Sequence, residues 1–183
     1  MHYIFKGRLR FVNIEDILNL IEKKEGKGKI LLPLGMEILR SGDTVLIKDR
    51  EKEERREEIS YTLKKGESMY LDYFDILVYS KRIKKGLIDF SLSPFQKIYV
   101  DGKYFKYFIV RTRKKGDRIR IDRVGEKKLK DFFIDEKIPR WERDRIPLFE
   151  INGKIVWVYP YKRSSDFKIK DSTEEVIEIG VAS

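Results

Sequence analysis

A chain of 183 residues can hold one medium domain or two small ones, and 41% hydrophobic with 13% aromatic residues suffice for packed cores. With no Cys and a single His, His2, the sequence offers no disulfide, no thiolate or imidazole zinc site and no Ser-His-Asp triad. Charged residues reach 39%, and the abundance of Lys, Arg, Glu and Ile points to a heat-adapted source.

Asn13 reads as the N-cap of a short amphipathic helix with Ile14, Ile17, Leu18 and Ile21 on one face, ended by Gly26 and Gly28. Strands are predicted at Ile30–Pro33, Met36–Leu39 and Thr44–Ile47, with Ser41-Gly42-Asp43 turning the chain, which makes a small β-meander. Residues 49–58 contain no apolar side chain and read as a solvated loop or an exposed helical turn. From Ile59 to Val110 short strands alternate with turns at Gly66, Gly86 and Gly102. Their aromatics (Tyr70, Tyr73, Phe74, Phe90, Phe95, Tyr99, Tyr104, Phe105, Tyr107, Phe108) have strand spacing and are assigned to packing.

Further along, strands are predicted at Phe108–Thr112 and Arg118–Ile121. A helix is predicted over Lys127–Asp135 with Leu129, Phe132 and Phe133 inward, and a second helical turn from Pro139 to Asp144. Strands Leu148–Ile151 and Lys154–Tyr159 flank Asn152-Gly153, a strong hairpin signal. Glu175 to Val181 alternates like a final edge strand, and Trp141 and Trp157 are expected in the core. The fold class is α+β: two small units with mainly antiparallel or mixed sheet and short helices. No apolar run is long enough to cross a membrane and no signal peptide opens the chain, so a cytoplasmic location is expected.

Charge is placed unevenly. Residues 1–80 hold 15 basic and 15 acidic side chains, whereas residues 81–183 hold 26 and 16 and so supply the whole net +10. Such asymmetry suits a polyanionic partner, although a Lys-rich heat-adapted surface reads the same way. The candidate contacts are Arg111, Arg113, Lys114, Lys115 and Arg118 around a Gly turn, then Lys127, Lys128 and Lys130, then Arg140 and Arg143, and finally Arg163. Lys meets a phosphate as a point charge, while Arg can fork across two of its oxygens. Salt bridges to Asp117, Asp131, Glu142 and Asp144 are the competing use of these cations. Asp131, Asp135 and Glu136 stand beside no nucleophile or metal frame and read as helix-surface charge.

Four blocks carry a resemblance: Arg111-x-Arg113-x-x-Gly116-Asp117-Arg118; Lys127-Lys128-Leu129-Lys130-Asp131 with Phe133-Ile134-Asp135 and Lys137-Ile138-Pro139-Arg140; Arg143-Asp144-x-x-Pro147; and Ile155-Val156-Trp157-Val158. In order and spacing, over residues 106–169, they resemble the C-terminal domain of the tRNA(Ile)-lysidine synthetase family. Ile14–Leu20 and the stretch from Gly28 to Gly35 are similar, more weakly, to the end of that family's middle, substrate-binding-like domain. The chain departs from the pattern at Arg120–Gly125, where the family has a Pro and a Gly-rich turn, and at Tyr159-Pro160-Tyr161, before the late Arg163.

The resemblance implies three segments: 1–80, the end of the middle domain with the β-meander; 81–105, connecting strands; and 106–183, a basic tRNA-binding domain. It implies tRNA(Ile) as partner and RNA binding as the role. The parent reaction uses ATP and magnesium to activate the wobble cytidine and join lysine to it, on a PP-loop domain with a Ser-Gly-Gly-x-Asp-Ser motif. That motif is missing here, since Ser41-Gly42-Asp43 lies in a hairpin turn and Gly125-Glu126-Lys127-Lys128 lacks the Walker frame. No cofactor and no catalytic residue are therefore expected in this chain, and a separate or missing PP-loop domain is an implied partner. A homodimer, and a stand-alone RNA-binding or dimerisation module, remain open alternatives.

Overall fold

The computed structural model describes residues 11–22, 26–33, 35–49, 58–93 and 95–182, in two compact units, 1–57 and 58–183. His2 and most of the charge run at 49–58 lie outside the described residues.

The first unit is helix α1 (Phe11–Glu22) against an antiparallel meander of β1 (Lys27–Leu31), β2 (Met36–Ser41) and β3 (Thr44–Asp49). Its small core joins Leu20 to Leu32 and Ile38. Asn13 lies inside the helix rather than capping it. Gly28 does not end the helix either: it sits within β1, where a Cβ would come 2.0 Å from Leu20 Cδ1. Buried Arg40 of β2 ties off the helix end, bonding the Leu20 carbonyl, the Ile21 carbonyl (2.9 Å) and the Gly42 carbonyl (2.9 Å).

The second unit stacks two sheets. Its strands are β4 (Ser60–Lys64), β5 (Ser68–Leu71), β6 (Ile76–Ile83), β7 (Lys97–Asp101), β8 (Tyr107–Arg111), β9 (Arg118–Ile121), β10 (Gly125–Lys128), β11 (Leu148–Ile151), β12 (Lys154–Val158), β13 (Lys162–Arg163) and β14 (Val176–Ala182). The larger sheet runs β10-β9-β12-β11-β8-β4, with β13 on β12; only β12 against β9 is parallel. The smaller runs β5-β6-β14-β7. Leu63, Phe108, Phe149 and Trp157 of the first meet Val78, Ile98, Ile177 and Ile179 of the second in one buried cluster. The larger sheet's other face carries helix α2 (Leu129–Asp135) over Ile119, Leu148, Ile155 and Val158. The α+β class holds. Strands from the 58–105 stretch belong to both sheets, since β4 pairs with β8 and β6 with β14, so hydrogen bonding groups them with the C-terminal half.

Local chemistry explains most elements. Asn152 and Gly153 have φ +49° and +74°, as a two-residue hairpin turn needs, and Ile151 pairs with Lys154 across it. In α2, Leu129, Phe132 and Phe133 are buried as predicted. The helix starts two residues late because 125–128 pairs with β9 instead. It stops with Lys137 at φ +55°, the Lys137 N–H on the Ile134 carbonyl (3.0 Å) and the Ile138 N–H on the Phe133 carbonyl (2.9 Å). Pro139 follows that stop. The predicted helical turn at 139–144 is irregular, with Glu142 N–H on Pro139 O (3.1 Å) and Arg145 N–H on Glu142 O (2.9 Å).

Two other expectations are corrected. β14 is a central strand, paired on both sides by β6 and β7. Its alternation comes from Ile177, Ile179 and Val181 facing the core, while Glu178 on the other face is held by Tyr79 Oη (2.9 Å) and Lys81 (3.1 Å). The aromatics of 59–110 divide: Tyr99, Phe105 and Phe108 are buried, but Tyr70, Phe90, Phe95, Tyr104 and Tyr107 are exposed. Trp157 is fully buried and Trp141 only partly.

Candidate nucleic-acid interface

The loop from Thr112 to Asp117, between β8 and β9, is the centre of the basic region. Asp117 closes it as a turn: its N–H reaches the Lys114 carbonyl (3.3 Å), and its carboxylate accepts from the Lys114 N–H (2.7 Å). Gly116 takes φ +95°, the left-handed position such a turn requires and a side chain resists. Lys115 is thereby left exposed at the corner.

Two further segments converge on this loop. The Leu129 N–H bonds the Asp117 carbonyl (2.9 Å), so α2 begins against it, and Lys128 lies directly opposite Arg118 in the β9–β10 register. Arg113 Nε reaches Asp144 Oδ1 (2.6 Å), which fixes the turns at 139–145 beside it. Arg140 and Arg113 lie near enough to Arg143 to depress its pKa, after burial, which depresses it most.

The predicted contacts fall into distinct classes. Lys115, Lys128, Lys130 and Arg140 are exposed and have no ion-pair partner among the described residues. Lys114 is 3.2 Å from Glu58 and Arg118 3.3 Å from Glu126, both open pairs of the kind that contributes little. Lys127 pairs with Asp135.

The remaining arginines turn inward. Arg143 donates through Nε (3.0 Å) and Nη2 (2.8 Å) to the Ile138 carbonyl and lies over the Phe133 ring at 5.8 Å. Arg111 is 7% exposed. Its Nη1 and Nη2 fork onto Asp117 (2.9 Å each), its Nε reaches Glu150 (2.7 Å), and Nη1 also bonds the Thr112 carbonyl (3.0 Å). Burial pulls its pKa down, but the hydrogen bonds to Asp117 and Glu150 outweigh this and leave it raised. Arg163 stands apart, reaching from β13 to the Tyr99 carbonyl of β7 (2.8 Å), with its Nε buried and unbonded; burial lowers its pKa.

Beside the loop lies a cleft of about 270 Å³ lined by Gly116, Arg118, Arg120, Glu126, Lys154 and Asp166, among others. Arg120 and Lys154 are not among the contacts the sequence suggests, although Arg120 follows Arg118 by two on a strand and so shares its face. Asp166 faces both, at 3.5 Å each, and Glu126 lies 3.3 Å from Arg120. Among the described residues no group of His, Cys, Asp or Glu could hold a metal ion, and no helix is long and apolar enough to cross a membrane.

Residues 108–179 match the family model described as the TilS substrate C-terminal domain. The tRNA(Ile)-lysidine synthase of Caldanaerobacter subterraneus subsp. tengcongensis is 34% identical over 98% of this chain and 39% of its own length. That of Persephonella marina is 34% identical over 90% of this chain and 36% of its own. A solved structure described as the crystal structure of a TILS C-terminal domain superposes with a TM-score of 0.57 at 29% identity, covering 68% of this chain and 98% of its own. The chain thus spans roughly two-fifths of the length of the curated relatives it matches.

Proposed function

We propose that residues 108–179, which match the TilS substrate C-terminal domain model, dock tRNA(Ile) by its phosphate backbone through the surface around the Lys114–Asp117 turn. The observation that carries this reading is the meeting of three chain segments, which brings forward Lys115, Lys128, Lys130 and Arg140 as exposed cations without ion-pair partners among the described residues. Cations of this kind hold a polyanion's backbone and release its counterions; they position the RNA without reading bases. Lys114 and Arg118 join them where a phosphate replaces a weakly held carboxylate. Arg111, Arg113 and Arg143 support the surface from beneath, and Arg163 lies apart from it.

In this reading the ligation of lysine to the wobble cytidine, with its ATP and magnesium, belongs to a PP-loop domain outside this chain. The setting is the cytoplasm. The test is a filter-binding titration of the whole chain with a tRNA(Ile) transcript at two salt concentrations. Four phosphate contacts at about −0.9 each give a log–log slope near −3.6, or roughly a 150-fold loss of affinity between about 50 and 200 mM salt. Binding that ignores salt, or no binding, would refute the proposal. Equal competition by bulk tRNA would reduce it to general RNA binding.

A further inference from the structure

We infer that Arg111 and Asp117 are positioning residues of the RNA-docking surface: the buried guanidinium locks the Asp117 carboxylate, and the locked carboxylate holds the Lys114–Asp117 turn in the one shape that presents Lys115. This rests on the docking reading above and goes beyond it, since it takes Arg111 out of the set of phosphate contacts and gives an acidic residue a positive part in binding a polyanion.

The geometry is closed on every side. Asp117 uses one carboxylate oxygen twice, for the Lys114 N–H (2.7 Å) and Arg111 Nη1 (2.9 Å), and the other for Arg111 Nη2 (2.9 Å). Arg111 is anchored from behind by Glu150 (2.7 Å) and bonds the Thr112 carbonyl at the loop's entry (3.0 Å). Thr112 in turn takes the Ile59 N–H on its hydroxyl (3.2 Å) and gives its own N–H to the Ile59 carbonyl (3.1 Å). At the exit, the Asp117 carbonyl receives the Leu129 N–H of α2 (2.9 Å). The fork, the Thr112 bonds and the Asp117 carbonyl together tie the loop to Ile59 before β4, to β11 and to α2.

Two chemical arguments give this arrangement a role in binding. A fork–fork pair between guanidinium and carboxylate fixes direction as well as distance, which a flexible ammonium cannot do. With side-chain exposures of 8% and 11%, Arg111 and Asp117 can reach a phosphate only by breaking bonds to each other. A loop held before the partner arrives spares the ordering cost on binding. If Asp117 were only a charge, it would repel phosphate; held by Arg111, its carboxylate is neutralised and its effect on the turn remains.

The two roles of Asp117 predict opposite signs. Asp117→Asn removes a negative charge from a basic surface, so electrostatics alone makes tRNA bind more tightly. Positioning makes it bind more weakly. Arg111→Lys keeps the charge and loses the fork, and serves in its place if the Asn variant does not fold.

The experiment titrates a tRNA(Ile) transcript against the whole chain, unmodified and with each substitution, alone and combined with Lys115→Ala, at several salt concentrations. One phosphate contact contributes about eightfold at 0.1 M salt and about 0.7 to 0.9 of slope, so Lys115→Ala alone loses both. Asp117→Asn and Arg111→Lys are expected to lower affinity severalfold at nearly unchanged slope. In either background the penalty of Lys115→Ala should shrink well below its value in the unmodified chain, a coupling that general destabilisation does not produce. Faster exchange of the Lys114 amide in the free variants is the companion readout. Unchanged or tighter binding by Asp117→Asn with folding intact would overturn the inference, as would a full Lys115→Ala penalty in both backgrounds. Failure of the docking reading itself appears separately, as absence of salt-dependent binding by the unmodified chain.

Discussion

The basic end of the larger sheet and the region of the smaller one both carry many cations, and they use them differently. On the smaller sheet, Lys81 is drawn to buried Glu178 (3.1 Å), while Arg82 (3.4 Å) and Lys65 lie against Glu175. Around residues 111–145 the arginines 111, 113 and 143 face the protein's own carboxylates and carbonyls, and lysines 115, 128 and 130 face solvent. The planar guanidinium suits fixed internal partners, whereas the strongly hydrated ammonium suits a surface waiting for a mobile polyanion. Net charge alone could not separate the two regions; the partners of each cation do.

The largest expected effect lies in the core under the basic end. Phe133 is fully buried in α2, so Phe133→Ala should cost about 3–5 kcal/mol and loosen the helix that carries Lys130, reducing tRNA binding with it. Ile179→Ala in β14, a cost of about 2–5 kcal/mol, should leave binding by the folded fraction unchanged. Denaturant melts and titrations of both variants sharpen the contrast; equal binding losses would break it.

Next comes Gly180, where a Cβ would stand 2.2 Å from Tyr79 Cζ. Gly180→Ala should displace that ring from Glu178 and cost about 1–3 kcal/mol, read by thermal melting, with no effect on RNA. Within the basic region, Arg143→Ala removes both donors from the Ile138 carbonyl and should cost about 1–3 kcal/mol of stability. Arg140→Ala should leave stability within about 0.5 kcal/mol and reduce the salt slope instead.

The smallest effect concerns pH. Burial first, then its bond to Glu178, pushes the Tyr79 hydroxyl up to about 12 from 10.0. A folded pKa above the unfolded one means the contribution is fully present below pH 10 and lost as pH rises toward 12. Tyr79→Phe should flatten that part of the stability curve, while tRNA binding at neutral pH stays as it was.

Much of the second unit was legible because local chemistry and tertiary context agree there: the Asn152-Gly153 hairpin, β9, β11 and the inward face of α2 lie where spacing predicts them. What misled was context that sequence does not carry. Alternation along β14 marks a strand but cannot say whether one edge or both are paired. Pro139 can open a helix or follow one, and the left-handed Lys137, at a position usually given to Gly, hides the stop. The basic region was plain from composition, and the blocks of resemblance marked its residues. Which of the eleven predicted cations stand free was not, because Arg111 and Lys115 differ in use only through Asp117 and Glu150, one nearby in sequence and one distant.

The most direct test compares salt slopes for tRNA(Ile) binding between the unmodified chain and the Lys115→Ala/Lys128→Ala/Lys130→Ala variant, with Lys65→Ala/Lys81→Ala/Arg82→Ala, around the smaller sheet, as the control. Three lost phosphate contacts should make the log–log slope shallower by about 2 to 2.7, with the control unchanged. Equal slopes for the two triple variants would contradict the assignment of RNA docking to this surface.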